Sequence, residues 1–227
     1  GVLPRPSNWV NGPGGIVPDD RPWDEVEEEY EFVEDLERLR SKVRGDGNRA
    51  RFDYWLDNFR YMKANARVNC LWAEYNAQIK EIKAEEDQKA RKRLAEREAL
   101  PLREELVEAV SEVYEHLLPT VSTTGEMGTV ANWEQHILPN LIEKTGKELA
   151  ELLGEELPED AQLPMEYDGE CHVIVPTVRT SVNENERLPL DIIVLSEEEP
   201  KSASLYWRYM GEEEFTELPL TPISRGV

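Results

Sequence analysis

Residues 48–80 read NRARFDYWLDNFRYMKANARVNCLWAEYNAQIK, and their period decides the fold. Phe52, Trp55, Leu56, Phe59, Met62, Ala66, Cys70, Ala73 and Ala77 recur every three or four residues, which is the stripe of an amphipathic helix. Asn48 ahead of the stripe is a suitable N-cap. From Lys80 to Glu98 the chain is mostly charged, with Ile82 and Leu94 as isolated large apolar residues. Ala, Glu, Lys, Arg and Gln are all good helix formers and pair at i,i+4, so the helix is expected to run on past the core with solvated sides. Pro101 marks a break. Leu102, Leu106, Val110, Val113 and Leu117 then form another helix that ends before Pro119. Two such helices laid antiparallel make a hairpin, with the charged stretch and its break near Pro101 at the far end.

On the N-terminal side, Trp23, Val26, Tyr30, Val33, Leu36, Leu39 and Val43 give an earlier amphipathic helix. Its first turns are acidic and its last turns basic, which suits the helix dipole, and Gly45-Asp46-Gly47 stops it. Residues 1–22 hold Pro4, Pro6, Pro13, Pro18 and Pro22, so this segment is extended and loop-like. After Pro119, residues 122–128 read as loop, 130–138 as a short helix broken by Pro139, and 146–153 as another short helix. The helical domain thus spans 23–154. Residues 155–170, with Pro158 and Pro164 among carboxylates, form a linker.

Beyond it the period falls to two. Residues 171–178, 190–195, 204–209 and 215–220 read as strands separated by turn residues. Short antiparallel strands at this spacing suggest an immunoglobulin-like sandwich, but such a sandwich needs about seven strands and ~100 residues. Residues 171–227 have room for four or five. The expected fold class is therefore α+β: an antiparallel long-helix hairpin or helical bundle, followed by an incomplete β-sandwich. The chain reads as a piece of a larger protein.

Charge narrows the partners. Forty-eight acidic against 26 basic residues give a net charge of −22. Such a surface repels nucleic acid and anionic lipid, so neither is an expected partner. No apolar run approaches the ~20 residues of a membrane span. Cys70 and Cys171 form no disulfide framework or metal motif and are expected to be buried free thiols. His116, His136 and His172 fall on different elements without a partner at metal-ligand spacing. No nucleophile elbow, phosphate loop, dinucleotide fingerprint or HExxH motif occurs. The sequence therefore nominates no catalytic residue, no metal and no cofactor.

Two segments differ from scaffold. Ser7 to Gly15 (SNWVNGPGG) and Ser122 to His136 (STTGEMGTVANWEQH) each join a Trp to Asn in a Gly-rich setting. Flat aromatic faces beside amides and carboxylates suit a pyranose, which offers a C–H face and a rim of hydroxyls. Trp9, Asn11, Glu126, Asn132, Trp133 and His136 are the candidate carbohydrate contacts, and this reading expects Trp9 and Trp133 to lie near one another. The alternative is that both Trp side chains anchor loops in the core and the polar groups satisfy loop backbone.

The run Gly47 to Met62 (GNRARFDYWLDNFRYM), then Gly125 to His136 (GEMGTVANWEQH), resembles the region after the catalytic barrel in large bacterial glycoside hydrolases of agarase-like and α-glucuronidase-like layout. The closing strands Leu205–Tyr209 (LYWRY) and Phe215–Leu220 (FTELPL) look like the β-sandwich of those enzymes. The resemblance implies a (β/α)8 barrel elsewhere in the parent polypeptide, with this chain as its accessory helical domain and sandwich. It implies polysaccharide as a ligand and an extracellular or periplasmic setting. Catalytic residues in such enzymes lie on the barrel, so none is carried over. A helical scaffold for protein partners is the second reading.

Overall fold

The stripe in residues 48–80 belongs to one helix, α3 (Asp46–Ala84), in a computed structural model that describes residues 7–8, 15–164, 167, 169, 171–176 and 181–223. Its 39 residues reach about 58 Å at 1.5 Å per residue. The chain reverses over Glu85–Asp87, where the Asp87 carboxylate accepts from the amides of Lys89 (3.2 Å) and Ala90 (3.3 Å) and caps α4 (Gln88–Leu94). A π-helical stretch, Ala95–Ala99, joins α4 to α5 (Leu100–Leu117). The arms are antiparallel: Asp57 faces His116, and Arg67 faces Glu108 (3.1 Å) and Glu112 (3.2 Å).

Three expectations change. The hairpin turns at 85–87 and not near Pro101. Pro101 lies in the first turn of α5, just after a widened turn in which Leu100 N–H reaches back to Ala95 O, so it falls where the regular ladder is already shifted. Nor does the charged stretch project past the core. Tyr75, Ile79, Ile82, Ala95 and Ala99 are buried together with Leu149 and Leu153 of α7 (Thr145–Leu153). The two alanines have no bulk to hold the arms apart, and a count of large apolar residues overlooks them. Finally, residues 122–128 are largely helical. Thr123 and Glu126 form a capping box that starts α6 (Thr124–Asn132). The helical run continues through π-helical Trp133–Ile137 and Pro139–Lys144 into α7, so Pro139 does not break it.

The N-terminal helix is divided into α1 (Trp23–Glu27), a 3-10 turn (Glu28–Tyr30) and α2 (Glu31–Arg40). Val26, Tyr30 and Val33 on it pack on Leu56, Ala66 and Cys70 of α3. Ahead of it, β1 (Ser7–Asn8) and β2 (Gly15–Ile16) form a short antiparallel ladder. A larger cluster, from Ala64, Val68 and Leu71 through Leu106, Val110 and Val113 to Trp133, Ile137 and Leu141, joins α3, α5 and the α6 run.

Arg103 of α5 ties the C-terminal part to this core. It is only 2% exposed. Its Nε donates to Ala161 O (3.0 Å), and its Nη1 donates to Thr145 Oγ1 (2.8 Å) and Leu141 O (3.5 Å). Burial lowers its pKa, and its charge is solvated by carbonyl and hydroxyl dipoles. Gly146 makes room for it, since a Cβ there would sit 3.2 Å from Arg103 Nη2 and 3.4 Å from Leu157 Cδ1. Ala161 belongs to a buried 3-10 turn (Glu159–Ala161), so the expected linker begins as part of the helical unit.

Two compact units result: the described residues of Gly1–Met165 with Val175–Asp191, and those of Glu166–Ile174 with Ile192–Val227. In the second unit β3 (His172–Ile174) pairs with β4 (Ile193–Leu195), and β5 (Ser204–Trp207) with β6 (Thr216–Pro219), as separate antiparallel ladders. The chain is thus helical with small antiparallel two-stranded sheets, a mixed α+β composition. Residues 177–178, the end of the first expected strand, and 224–227 lie outside the described residues. Cys70 is buried as expected, and burial raises its thiol pKa to about 11. Cys171 is exposed, contrary to expectation, because it lies just outside the β3 ladder.

Truncating Arg103 leaves Ala161 O without its donor and opens a cavity, while Thr145 Oγ1 and Leu141 O still bond to one another (2.6 Å). Arg103→Ala is expected to cost about 2–4 kcal/mol in urea unfolding. Arg103→Lys recovers little of this, because an ammonium cannot reproduce the planar fork. Limited proteolysis of either variant is expected to cut first between residues 155 and 164 of the loosened segment.

Candidate functional site

Of the six residues expected to contact carbohydrate, four lie among the described residues. Trp9 and Asn11 lie outside the described residues, so their expected approach to Trp133 does too. Trp133 is only 1% exposed. Its indole N–H donates to Tyr61 Oη (3.2 Å), and Tyr114 packs edge-on against it at 6.1 Å. An indole this enclosed offers no open face to a sugar, and Trp133 takes the place in the core that the alternative reading gave it. Asn132 is half-buried beside it, and His136 is exposed on the same helical run.

Glu126 is engaged within the helical unit. Its Oε2 accepts from the Ser122 amide (2.7 Å), the Ser122 hydroxyl (2.8 Å) and the Thr123 amide (2.8 Å), and Oε1 from Tyr54 Oη (2.8 Å). Burial pushes its pKa up. The hydrogen bonds from Tyr54, Ser122 and Thr123 together outweigh that and hold it at about 2. Glu126 fastens the start of α6 to α3, and its acceptors are committed to that task.

The surface feature that emerges is an aromatic file ending at this carboxylate. Tyr30 stacks on Phe32 (centroids 6.3 Å), Phe32 meets Phe59 edge-on (5.4 Å), Phe59 lies by Trp55 (6.3 Å), and Trp55 meets Tyr54 edge-on (5.5 Å). Tyr54 then donates to Glu126. Tyr30 is buried and Trp55 is 60% exposed, so the file climbs from the core to solvent. Neighbouring rings on two sides hold the indole, which leaves a fixed apolar surface in water. The periodicity of α3 placed Trp55 within the buried stripe, and it belongs at the stripe's edge. A signal was present: adjacent residues on a helix point about 100° apart, so Trp55 and Leu56 of the stripe cannot both face one seam, and Leu56 takes the buried place.

A polar cleft of about 340 Å³ lies between α2 and the hairpin, lined by Val33, Glu37, Arg60, Lys63, Glu112 and His116 among others. Its charges answer one another. Arg60 bridges Glu37 (2.8 Å) and Asp57 (3.2 Å), Lys63 meets Glu27 (2.7 Å), and His116 Nδ1 is 3.8 Å from Asp57. Burial raises the pKa of Asp57, against the opposing pull of Arg60. The Glu27 and Glu37 pairs dock α1 and α2 on the hairpin, while the Asp57 contacts lie within the hairpin itself. Among the described residues no group of three or more His, Cys, Asp or Glu is arranged to hold a metal ion, and no helix is long and apolar enough to cross a membrane.

No family model, curated protein or solved structure matches this chain.

The two tryptophans should respond oppositely to truncation. Trp133→Ala is expected to lose about 3–5 kcal/mol in chemical denaturation, and Trp55→Ala about 1 kcal/mol or less. Glu126 supplies a pH test. Its folded pKa lies below the unfolded value of about 4.3, so its charge stabilises the fold above that pH and the effect fades as pH falls towards about 2. Glu126→Gln should therefore be less stable than wild type at neutral pH. The gap in melting temperature is expected to close between about pH 4 and pH 2.

Proposed function

We propose that this chain is an accessory, non-catalytic module of a larger carbohydrate-active protein, and that its helical unit offers the Trp55 ledge to a polysaccharide. One observation carries the reading: an indole 60% exposed yet held by the ring file that runs from Tyr30 to Tyr54. Large aromatic side chains are seldom left so open on a helix whose other face is core, and a rigid apolar plane suits the C–H face of a sugar ring. The resemblance of residues 47–62 and 125–136 to the post-barrel region of polysaccharide-degrading hydrolases points the same way. In this reading the β3–β4 and β5–β6 ladders are parts of a sandwich whose catalytic partner domain lies elsewhere in the parent. A scaffold for protein partners is the second reading, and the exposed apolar residues of β5 and β6, including Trp207 and Leu218, favour it.

The test is calorimetric titration of the full chain with agar, porphyran, xylan and alginate oligosaccharides. At least one is expected to bind saturably, with affinity falling roughly tenfold or more in Trp55→Ala, the order of a lost aromatic stacking contact with its buried area. Binding that survives Trp55→Ala unchanged would move the sugar site elsewhere. A flat response to all four would leave the scaffold reading as the better account.

A further inference from the structure

The β5–β6 hairpin has two unlike faces. Leu205 pairs with Leu218, Tyr206 with Glu217, and Trp207 with Thr216, and the Leu220 amide extends the ladder to Ala203 O (2.9 Å). Side chains alternate along a strand, so Leu205, Trp207 and Leu218 share one face while Tyr206 and Glu217 share the other. The second face is exposed as well, with Tyr206 at 58% and Phe215 at 57%, but its polar groups are paired. The Tyr206 hydroxyl and Glu217 carboxylate are hydrogen-bonded, and the Arg208 guanidinium sits 4.5 Å from the Phe215 ring centre and donates to Glu212 O (3.0 Å). The first face differs in being mainly apolar, through Leu205, Trp207 and Leu218. Trp207 and Leu218 are exposed, and Tyr209, edge-on to Trp207 at 5.2 Å, carries the apolar surface further.

Among the described residues no third strand pairs with β5 or β6. A lone two-stranded hairpin is marginal in water, and an uncovered strand edge is a template for another chain. Charge restricts which chain can take it. The hairpin turn carries Glu212, Glu213 and Glu214, and Arg208 is engaged with Phe215 and the turn carbonyls. A second copy would bring its own net charge of −22, so self-association works against long-range repulsion.

We propose that this edge and its apolar face dock an extended, cationic segment of a partner polypeptide. The segment would add a strand of alternating apolar residues over Trp207 and Leu218, with Lys or Arg flanks meeting Glu212–Glu214. The inference rests on the proposed reading of the hairpin as part of a sandwich.

The probe is a fluorescein-labelled peptide of alternating Val and Thr with Lys at both ends, followed by anisotropy on the full chain. A Glu-flanked peptide of the same core is the control. The Lys-flanked peptide is expected to bind saturably and the Glu-flanked one not. Binding should weaken as salt rises from about 0.05 M to about 0.5 M. It should fall at least roughly tenfold in Leu218→Lys, which puts a like charge on the apolar face, and little in Ser204→Thr on the opposite one. Methyl cross-relaxation between Leu205 and Leu218 reports the hairpin independently. Its presence without peptide binding would overturn the docking proposal and leave the sandwich reading standing, whereas its absence would overturn both. Equal binding of the two peptides, or concentration-dependent dimerisation in sedimentation that Leu218→Lys abolishes, would also overturn the choice of occupant.

Discussion

The guanidinium of Arg103 is a full charge in the core, and the surrounding structure is arranged to supply its oxygen partners. It takes Leu141 O and Thr145 Oγ1 from the helical run after α6, and Ala161 O from the turn after α7. Satisfying one side chain therefore fixes three segments that are distant in sequence. The requirement accounts for Gly146, where any Cβ would press on the guanidinium, and for the return of residues 155–164 over the helices. A charge buried this way adds little net stability, but its removal is costly because it leaves a cavity and a dry Ala161 O without its donor.

Widened helical turns do related work. Pro101 and Pro139 both occur in continuous helices, each beside or within a π-helical stretch where the regular ladder is already shifted. Such a stretch also re-aims the residues that follow. Trp133 opens one of them and points into the cluster of Val68, Val110 and Ile137, where Tyr61 satisfies its N–H. Trp55 lies on the regular helix α3, at the margin of the seam, and reaches solvent. Two tryptophans with similar polar neighbours in sequence thus have opposite environments.

Much of the helical unit was legible in the sequence. The α3 stripe, the end of α5 before Pro119, the short α7 helix and the antiparallel hairpin follow from period and helix-stop chemistry. The turn at Glu85–Asp87 was hidden because its flanks are as helix-prone as the helices, and only the Asp87 cap distinguishes it. Core contributions from Ala95 and Ala99 were invisible to a count of large apolar residues. The capping box at Thr123 and Glu126 was readable, but the glycines around it suggested a loop. For the site, composition alone could not separate an anchoring Trp from an exposed one, since both readings use the same residues. Solvent exposure depends on which helix passes over which face, and that is set by partners far along the chain.

The central claim is that Trp55, and not Trp133, presents an indole to carbohydrate. Six tryptophans give at most six indole N–H signals in a nitrogen-15 correlation spectrum, and single substitutions assign them. Adding the tightest-binding oligosaccharide should move the Trp55 signal saturably and leave Trp133 in place. A Trp55 signal that stays fixed while another indole moves, or a spectrum in which none moves, would contradict the account.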